Sequence, residues 1–285
     1  MLVRRTLGTP PSSARRWTKR SCRRRSAPSR SRTLGAEVRG GGKAGLALSG
    51  VPACGYALAV LVFIAVVMAV AIRMNNHSII DICWGPGFAV VAAVSYLTSI
   101  GSDGNDLRRL VVLALTVVWG MRLGLYIGFR NRGHGQDKRY TALLKHQQGQ
   151  LVPFLIRKIY GLQGVLILVV SLPVQFAMYE FRALGVLGAI GIAVWTVGFV
   201  FESVGDYQLS RFKADPANAG KVMDRGLWAW TRHPNYFGDA CVWVGLFILA
   251  LGDPLALITI VSPIVMIKLL VSYSGKALLE RRMRK

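Results

Sequence analysis

The chain is poor in acid: 13 Asp and Glu stand against 36 Lys and Arg in 285 residues. It is also poor in cysteine, and Cys22, Cys54, Cys83 and Cys241 lie far apart, with no C-x-x-C pair and no accompanying histidine spacing. That pattern excludes a disulfide framework and a zinc site and leaves isolated buried thiols. What it has in excess is apolar surface. A hydrophobic content of 53% and a positive mean hydropathy exceed what a water-soluble domain of this length carries, so lipid is the expected solvent.

The formal charge of +23 resembles a nucleic-acid signal until it is located along the chain. Residues 1–45 hold eleven Arg, two Lys and one Glu, a net +12, and the other 240 residues carry +11. The segment "RRWTKRSCRRRSAPSRSR" has no apolar periodicity and cannot bury enough surface to offset its ordering entropy. Residues 1–50 are therefore expected to be a disordered basic extension ahead of a membrane domain over 51–285. Nucleic-acid binding, attachment to anionic lipid and targeting are open readings of the extension, as is a translation start downstream of it. No nucleic-acid partner is expected for the folded domain. Gly40, Gly42 and Gly45 in "GGGKAG" match the spacing of a dinucleotide fingerprint, but no strand precedes them and no βαβ unit surrounds them.

Long apolar stretches predict an all-α polytopic membrane protein of about seven helices, near 54–72, 82–100, 109–128, 160–179, 184–204, 237–251 and 255–274. The sixth is marginal in length. Gly252, Asp253 and Pro254 follow it, so the sixth and seventh are expected to form a tight hairpin. The 129–159 connection carries Arg130, Arg132, Lys138, Arg139, Lys145, Arg157 and Lys158. That at 205–236 carries Arg211, Lys213, Lys221, Arg225 and Arg232. Both are expected on the cytoplasmic side, which with seven spans places the C-terminus inside and the N-terminus outside. The basic extension disagrees with that orientation, and several concordant loops outweigh one segment. Gly185, Gly188 and Gly191 line one face of the fifth span and suit close helix packing, within the chain or between chains.

The chemistry concentrates in 202–243, where carboxylates, cations, an amide and aromatics crowd two spans, and polar groups at such depth are costly unless they serve a site. Glu202 and Asp206 are four apart and share a helical face with Tyr207 and Arg211 nearby. Pro234 fits a first helical turn, so Arg232 and His233 lie just before the sixth span while Asn235 and Asp239 share its start, a natural receptor for phosphate. The bland alternative has Arg232 and Lys213 reaching toward headgroups, Asn235 capping the hairpin and His233 hydrogen-bonded structurally.

Here a resemblance enters. "GLWAWTRHPNYFGDACVWVG" resembles the C-terminal motif of the steroid 5-alpha-reductase-like membrane enzymes, in the bacterial branch known as DUF1295. "IIDICWG" at 79–85, "GMRLGLYIGFRNRG" at 120–133, "DKRY" at 137–140 and "GDYQLSRFK" at 205–213 extend it in the right order over roughly 75–280. The resemblance implies a multi-pass protein, of bacterial plasma-membrane type, that binds NADPH and reduces an activated carbon–carbon double bond in a lipid or steroid-like enone. It also implies nucleotide contacts at Arg132, Tyr140, Asp206, Tyr207, Lys213, Lys221, Asn235 and Asp239, with Arg232, His233 and Tyr236 completing the helix-start motif. Relatives continue past "SGKALLERRMRK" through a Tyr-containing, Pro-terminated segment that helps close the nucleotide cavity.

Reduction of an enone needs a donor at the carbonyl oxygen, where negative charge develops. Asp81, at the start of the second span, and Tyr126, near the cytoplasmic end of the third, are the candidates, Asp81 only if desolvation keeps it protonated. Their alternatives are an interfacial helix cap and an aromatic-belt residue. The rival function is an S-adenosylmethionine-dependent methyltransferase of the isoprenylcysteine or phospholipid type, which shares the Arg-His-Pro-x-Tyr element but tends to carry a Glu-Glu pair where Glu280 is single. A third reading is a non-catalytic sterol- or lipid-binding relative. No metal is expected.

Overall fold

A computed structural model describes residues 50–145 and 149–273. Residues 1–49 of the basic extension and Glu280 lie outside the described residues, and Gly50, the last residue assigned to the extension, already opens the first helix. Among the described residues there are no strands. Helices α1 (Gly50–Arg73), α2 (Ile79–Ser99) and α3 (Asp106–Arg130) are followed by a short surface helix, α4 (Lys138–Lys145). Then come α5 (Leu151–Val170), α6 (Leu172–Ala177), α7 (Gly185–Ala214), α8 (Leu227–Trp230), α9 (Pro234–Ala250) and α10 (Val261–Lys268), the last preceded by a 3-10 segment at Pro254–Ile260.

Six of these segments are long and apolar enough to cross a membrane, and α9 is a seventh, shorter one of 17 residues. At about 1.5 Å per residue α9 reaches roughly 26 Å, a little less than a typical hydrocarbon core. The chain is an integral multi-pass membrane protein. α1 shows why. Tyr56, Val60, Ile64, Val67 and Ala71 recur at helical spacing and are buried, while Leu58, Leu61, Val62, Val66 and Val70 on the other face are equally apolar and exposed. In water that second face would be a large sticky patch; in lipid it is the ordinary outer surface.

Two helix pairs approach closely through glycine. A Cβ on Gly85 of α2 or Gly120 of α3 would collide with the other's carbonyl, so their backbones touch there. On α7, Gly191, Gly198 and Gly205 repeat every seven residues, and on α9 Gly238 and Gly245 do the same. The two ladders interlock antiparallel, Gly198 against Gly238 and Gly191 against Gly245. The predicted glycine face therefore packs within the chain at Gly191, whereas Gly185 meets open space and Gly188 lies nearest to Leu184 of its own turn. Phe88, Trp119 and Trp243 fill the centre, with ring centroids 4.7–5.7 Å apart.

The fourth span differs from the expected 160–179. It begins at Leu151, contains a π-helical turn over Ile156–Tyr160, and ends at Ser171, because Pro173 opens the next helix. Arg157 and Lys158 thus lie inside the helix, exposed, and not in the preceding loop. At the opposite end of the bundle Arg108 and Arg109 are buried and clamp carbonyls. Arg108 donates to Leu249, Arg182 and Ala183, and Arg109 to Met178 and Ser102. They hold helix ends that would otherwise present orphan acceptors to lipid.

Candidate functional site

Three helices each carry a polar stripe at near four-residue intervals, and the fold turns all three inward. On α3 it runs Trp119, Arg122, Tyr126, Arg130; on α7, Glu202, Asp206, Ser210; on α9, Asn235, Asp239, Trp243. Such spacing stacks side chains on one helical face. The glycine ladder brings α7 and α9 close enough for their stripes to share partners.

Arg122 is the hub. It donates to Glu202 Oε1 at 2.6 Å, to the Glu202 carbonyl at 3.1 Å and to Asp206 Oδ2 at 2.5 Å. Trp119 Nε1 donates to Glu202 Oε2 at 2.8 Å, and Asn235 Nδ2 donates to Asp206 Oδ1 at 3.2 Å. Glu202 and Asp206 are 3% and 4% exposed, so water screens this network little. Asp239 stands apart: its Oδ1 is buried with no hydrogen-bond partner, and the Trp243 indole beside it does not reach hydrogen-bond geometry. Buried polar atoms left in this way call for a reason.

The network opens into a cleft of about 400 Å³ between α3 and α7, lined by Arg122, Tyr126, Phe129, Arg130, Ser203, Asp206, Tyr207 and Ser210. That volume lies in the range of small-molecule sites, about 300–1,000 Å³. The Tyr126 ring sits between the guanidiniums of Arg122 and Arg130, 5.4 and 5.7 Å from its centroid, and its hydroxyl is 3.5 Å from Ser210 Oγ. Ser203 Oγ is a second buried, unpartnered polar atom at this wall.

A separate cluster ties the loop after α3 to the start of α2. Tyr140 donates to Asp81 Oδ1 at 2.7 Å, and Arg139 bridges Asp81 at 2.8 Å and Asp137 at 3.1 Å. The Asp137 amide donates to Ser78 Oγ, the His77 amide to Gln136, and His77 Nδ1 lies 2.8 Å from the Tyr160 hydroxyl. Burial opposes ionisation of Asp137, but its hydrogen bonds from Arg139 outweigh that and hold the carboxyl below the usual range. Burial first, and the Asp81 carboxylate next, push the Tyr140 phenol up, while burial alone pulls His77 down.

The sequence-predicted residues thus divide. Tyr126, Asp206 and Tyr207 line the α3–α7 cleft, Asn235 joins them through its bond to Asp206, and Asp239 lies on the same α9 stripe without lining the cleft. Asp81 and Tyr140 meet each other elsewhere, where Asp81 accepts from Tyr140 and pairs with Arg139. Arg132 lies over the Phe129 ring at 5.3 Å, and Lys213, Lys221 and Arg232 are exposed around the same mouth-side loops. His233 stacks on Tyr236, with centroids 5.1 Å apart. The start of α9 packs on Gly205, with Asn235 turned into Asp206. Sequence reasoning missed Arg122, Trp119 and Arg130 as site residues, although Arg122 and Tyr126 at i and i+4 were a signal.

The family model described as a protein of unknown function, DUF1295, matches residues 67–285. The chain belongs to the DUF1295 family. Every residue of the DUF1295 site named above falls inside that match. This DUF1295 chain is 23% identical over 208 residues to an uncharacterized protein of the fission yeast Schizosaccharomyces pombe, covering 64% of this chain and 60% of the relative. The chain therefore spans less than two thirds of that relative's length. The relative is eukaryotic, so the expected bacterial plasma membrane gains no support from it. No solved structure matches.

Proposed function

We propose that the protein is a membrane-embedded, NADPH-dependent reductase of an activated carbon–carbon double bond in a lipid-like enone. The observation that carries this reading is the buried Arg122–Glu202–Asp206–Asn235 network, open to a cleft that a phenol and a guanidinium line. Ionisable groups within membrane spans are retained chiefly where they serve a ligand or a proton.

The residues suit the nucleotide. Ser203 Oγ and Asp239 Oδ1 are polar atoms without partners at this site, and Arg130 lies at the mouth. Lys213, Lys221, Arg132 and Arg232 are exposed and would meet its phosphates on the basic side. When bound, NADPH supplies a hydride. The carboxylates of Glu202, Asp206 and Asp239 would stabilise the positive charge that hydride loss develops on the nicotinamide ring. Tyr126, with Arg122 and Arg130 flanking its ring, would donate to the substrate oxygen as enolate charge forms. The apolar body of the substrate has Leu125, Phe129, Val200 and Val204 beside it, all exposed toward lipid.

Purified protein in detergent is expected to bind NADPH, seen as a change in its fluorescence, and to ignore S-adenosylmethionine. The opposite preference would replace the reductase with a membrane methyltransferase. Binding of neither points to a lipid-binding relative. Asn235→Ala with Asp239→Ala should abolish nucleotide binding while leaving the protein monodisperse.

A further inference from the structure

Among the described residues the charges of the site do not balance. Glu202, Asp206 and Asp239 converge from α7 and α9, and the cations facing them are Arg122, bonded to the first two, and Arg130, which acts on Asp206 from the mouth. Three carboxyls against two guanidiniums leave one negative charge in excess. It falls on Asp239, which no described guanidinium touches, and whose electrostatic neighbours are the Glu202 carboxylate, then Arg122, already bonded to two other carboxylates, then Asp206. The other elements against α9 do not offset it. α6 and the 3-10 segment before α10 carry no ionisable side chain, and Lys268 of α10 is exposed. Among the described residues no group of three or more His, Cys, Asp or Glu is arranged to hold a metal ion.

We infer that Glu202 and Asp239 hold one proton between them in the resting protein, and that this store is surrendered when a ligand acquires positive charge beside it. One proton makes the cluster neutral, removes an uncompensated charge from the bilayer interior, and turns Asp239 into a donor for the polar atom a ligand presents. The second half rests on the reductase reading. A hydride adds to the β-carbon of the enone and the double-bond electrons move to the oxygen as an enolate. The stored proton then ends on the α-carbon, and one proton from water refills the store once the oxidised nucleotide has left. Enone, NADPH and one proton thereby give saturated ketone and NADP+, and the carboxylate freed in the cluster faces the cation produced.

Infrared spectroscopy of the full chain in lipid nanodiscs at neutral pH tests the store without any ligand. We expect the C=O stretch of a protonated carboxyl, shifted by exchange into D2O, and lost in Asp239→Asn or displaced in Glu202→Gln. A wild-type spectrum without such a band overturns the proposal, as does a band unchanged in both variants, which would belong to another carboxyl such as buried Glu180. Calorimetric titrations in buffers of differing ionisation enthalpy read the coupling. NADP+ should release one proton more than NADPH does in wild type, and no extra proton in Asp239→Asn, whose amide keeps the hydrogen-bonding shape that alanine would remove. Equal release for the two nucleotides refutes the coupling. A carboxyl band with no binding of either nucleotide sinks the reductase reading and leaves the store standing.

Discussion

Replacing Arg122 with methionine tests whether the network is held by charge or merely filled by it. Methionine keeps the length and most of the apolar stem but removes three hydrogen bonds to Glu202 and Asp206. The Arg122 side chain is only 17% exposed, and its two carboxylate partners 4% and 5%, so the surface discount for salt bridges does not apply. Removing one partner of a buried ion pair costs roughly 3–5 kcal/mol, because the other charge is left uncompensated. At about 2–4 °C per kcal/mol for a chain of this size, the midpoint of thermal unfolding should fall by roughly 6–20 °C. The same argument requires rescue. Glu202→Gln added to Arg122→Met removes a charge that has lost its partner, and should recover roughly 1–3 kcal/mol of coupling. Size-exclusion of heated samples in detergent measures both. An Arg122→Met variant as stable as wild type, or a double variant less stable than the single, would show that these charges do not hold one another.

Tyr126→Phe should lower turnover of an enone by about 10²- to 10⁴-fold while leaving NADPH binding intact, because only the proton donor is lost; steady-state kinetics beside a fluorescence titration separate the two. Gly238→Ala should destabilise the protein by a few kcal/mol, since its Cβ meets the α7 backbone, roughly the scale of overpacking in a tight core. Gly128→Ala meets only the Ile82 side chain at 3.6 Å and should be neutral or gain up to about 1 kcal/mol from helix propensity; a fluorescence-detected melting series that ranks the two the other way contradicts the ladder. Asp137 has a carboxyl held below its usual value, so the tie it makes to Arg139 is present above the unfolded carboxylate pKa and is lost as pH falls through the lower, folded one. Limited proteolysis of the 131–137 loop and α4 should accordingly speed up on strong acidification, and not between pH 6 and 8.

Much of this molecule was legible because lipid forces simple rules. A helix crossing hydrocarbon must be long and apolar, and six of the seven expected spans appear within a few residues of their predicted places, apart from longer polar ends such as the last ten residues of α7. The fourth slipped because hydropathy undervalues a helix whose first turns carry Arg157 and Lys158, charges that can remain at the surface while the backbone stays helical. The pairs Glu202/Asp206 and Asn235/Asp239 were visible at i and i+4. Arg122 was visible only as a basic residue in an apolar span, and nothing in the sequence marked Arg108 and Arg109 as the buried clamps on distant carbonyls that they are.

Sequence alone therefore determined the solvent, the helical content and which residues share a face along each helix, since those depend on composition and on a fixed period of 3.6 residues. Tertiary structure decided which faces meet. The glycine ladder of α7 and α9 lets two carboxylate stripes approach, and the arrival of α3 supplies Arg122 and, at the mouth, Arg130 where three carboxyls converge. Asp81, which sequence placed with Tyr126, went to Tyr140 and Arg139 because the loop after α3 folds back on the start of α2. A charge imbalance is a property of a place in space, and no linear reading of the chain contains it.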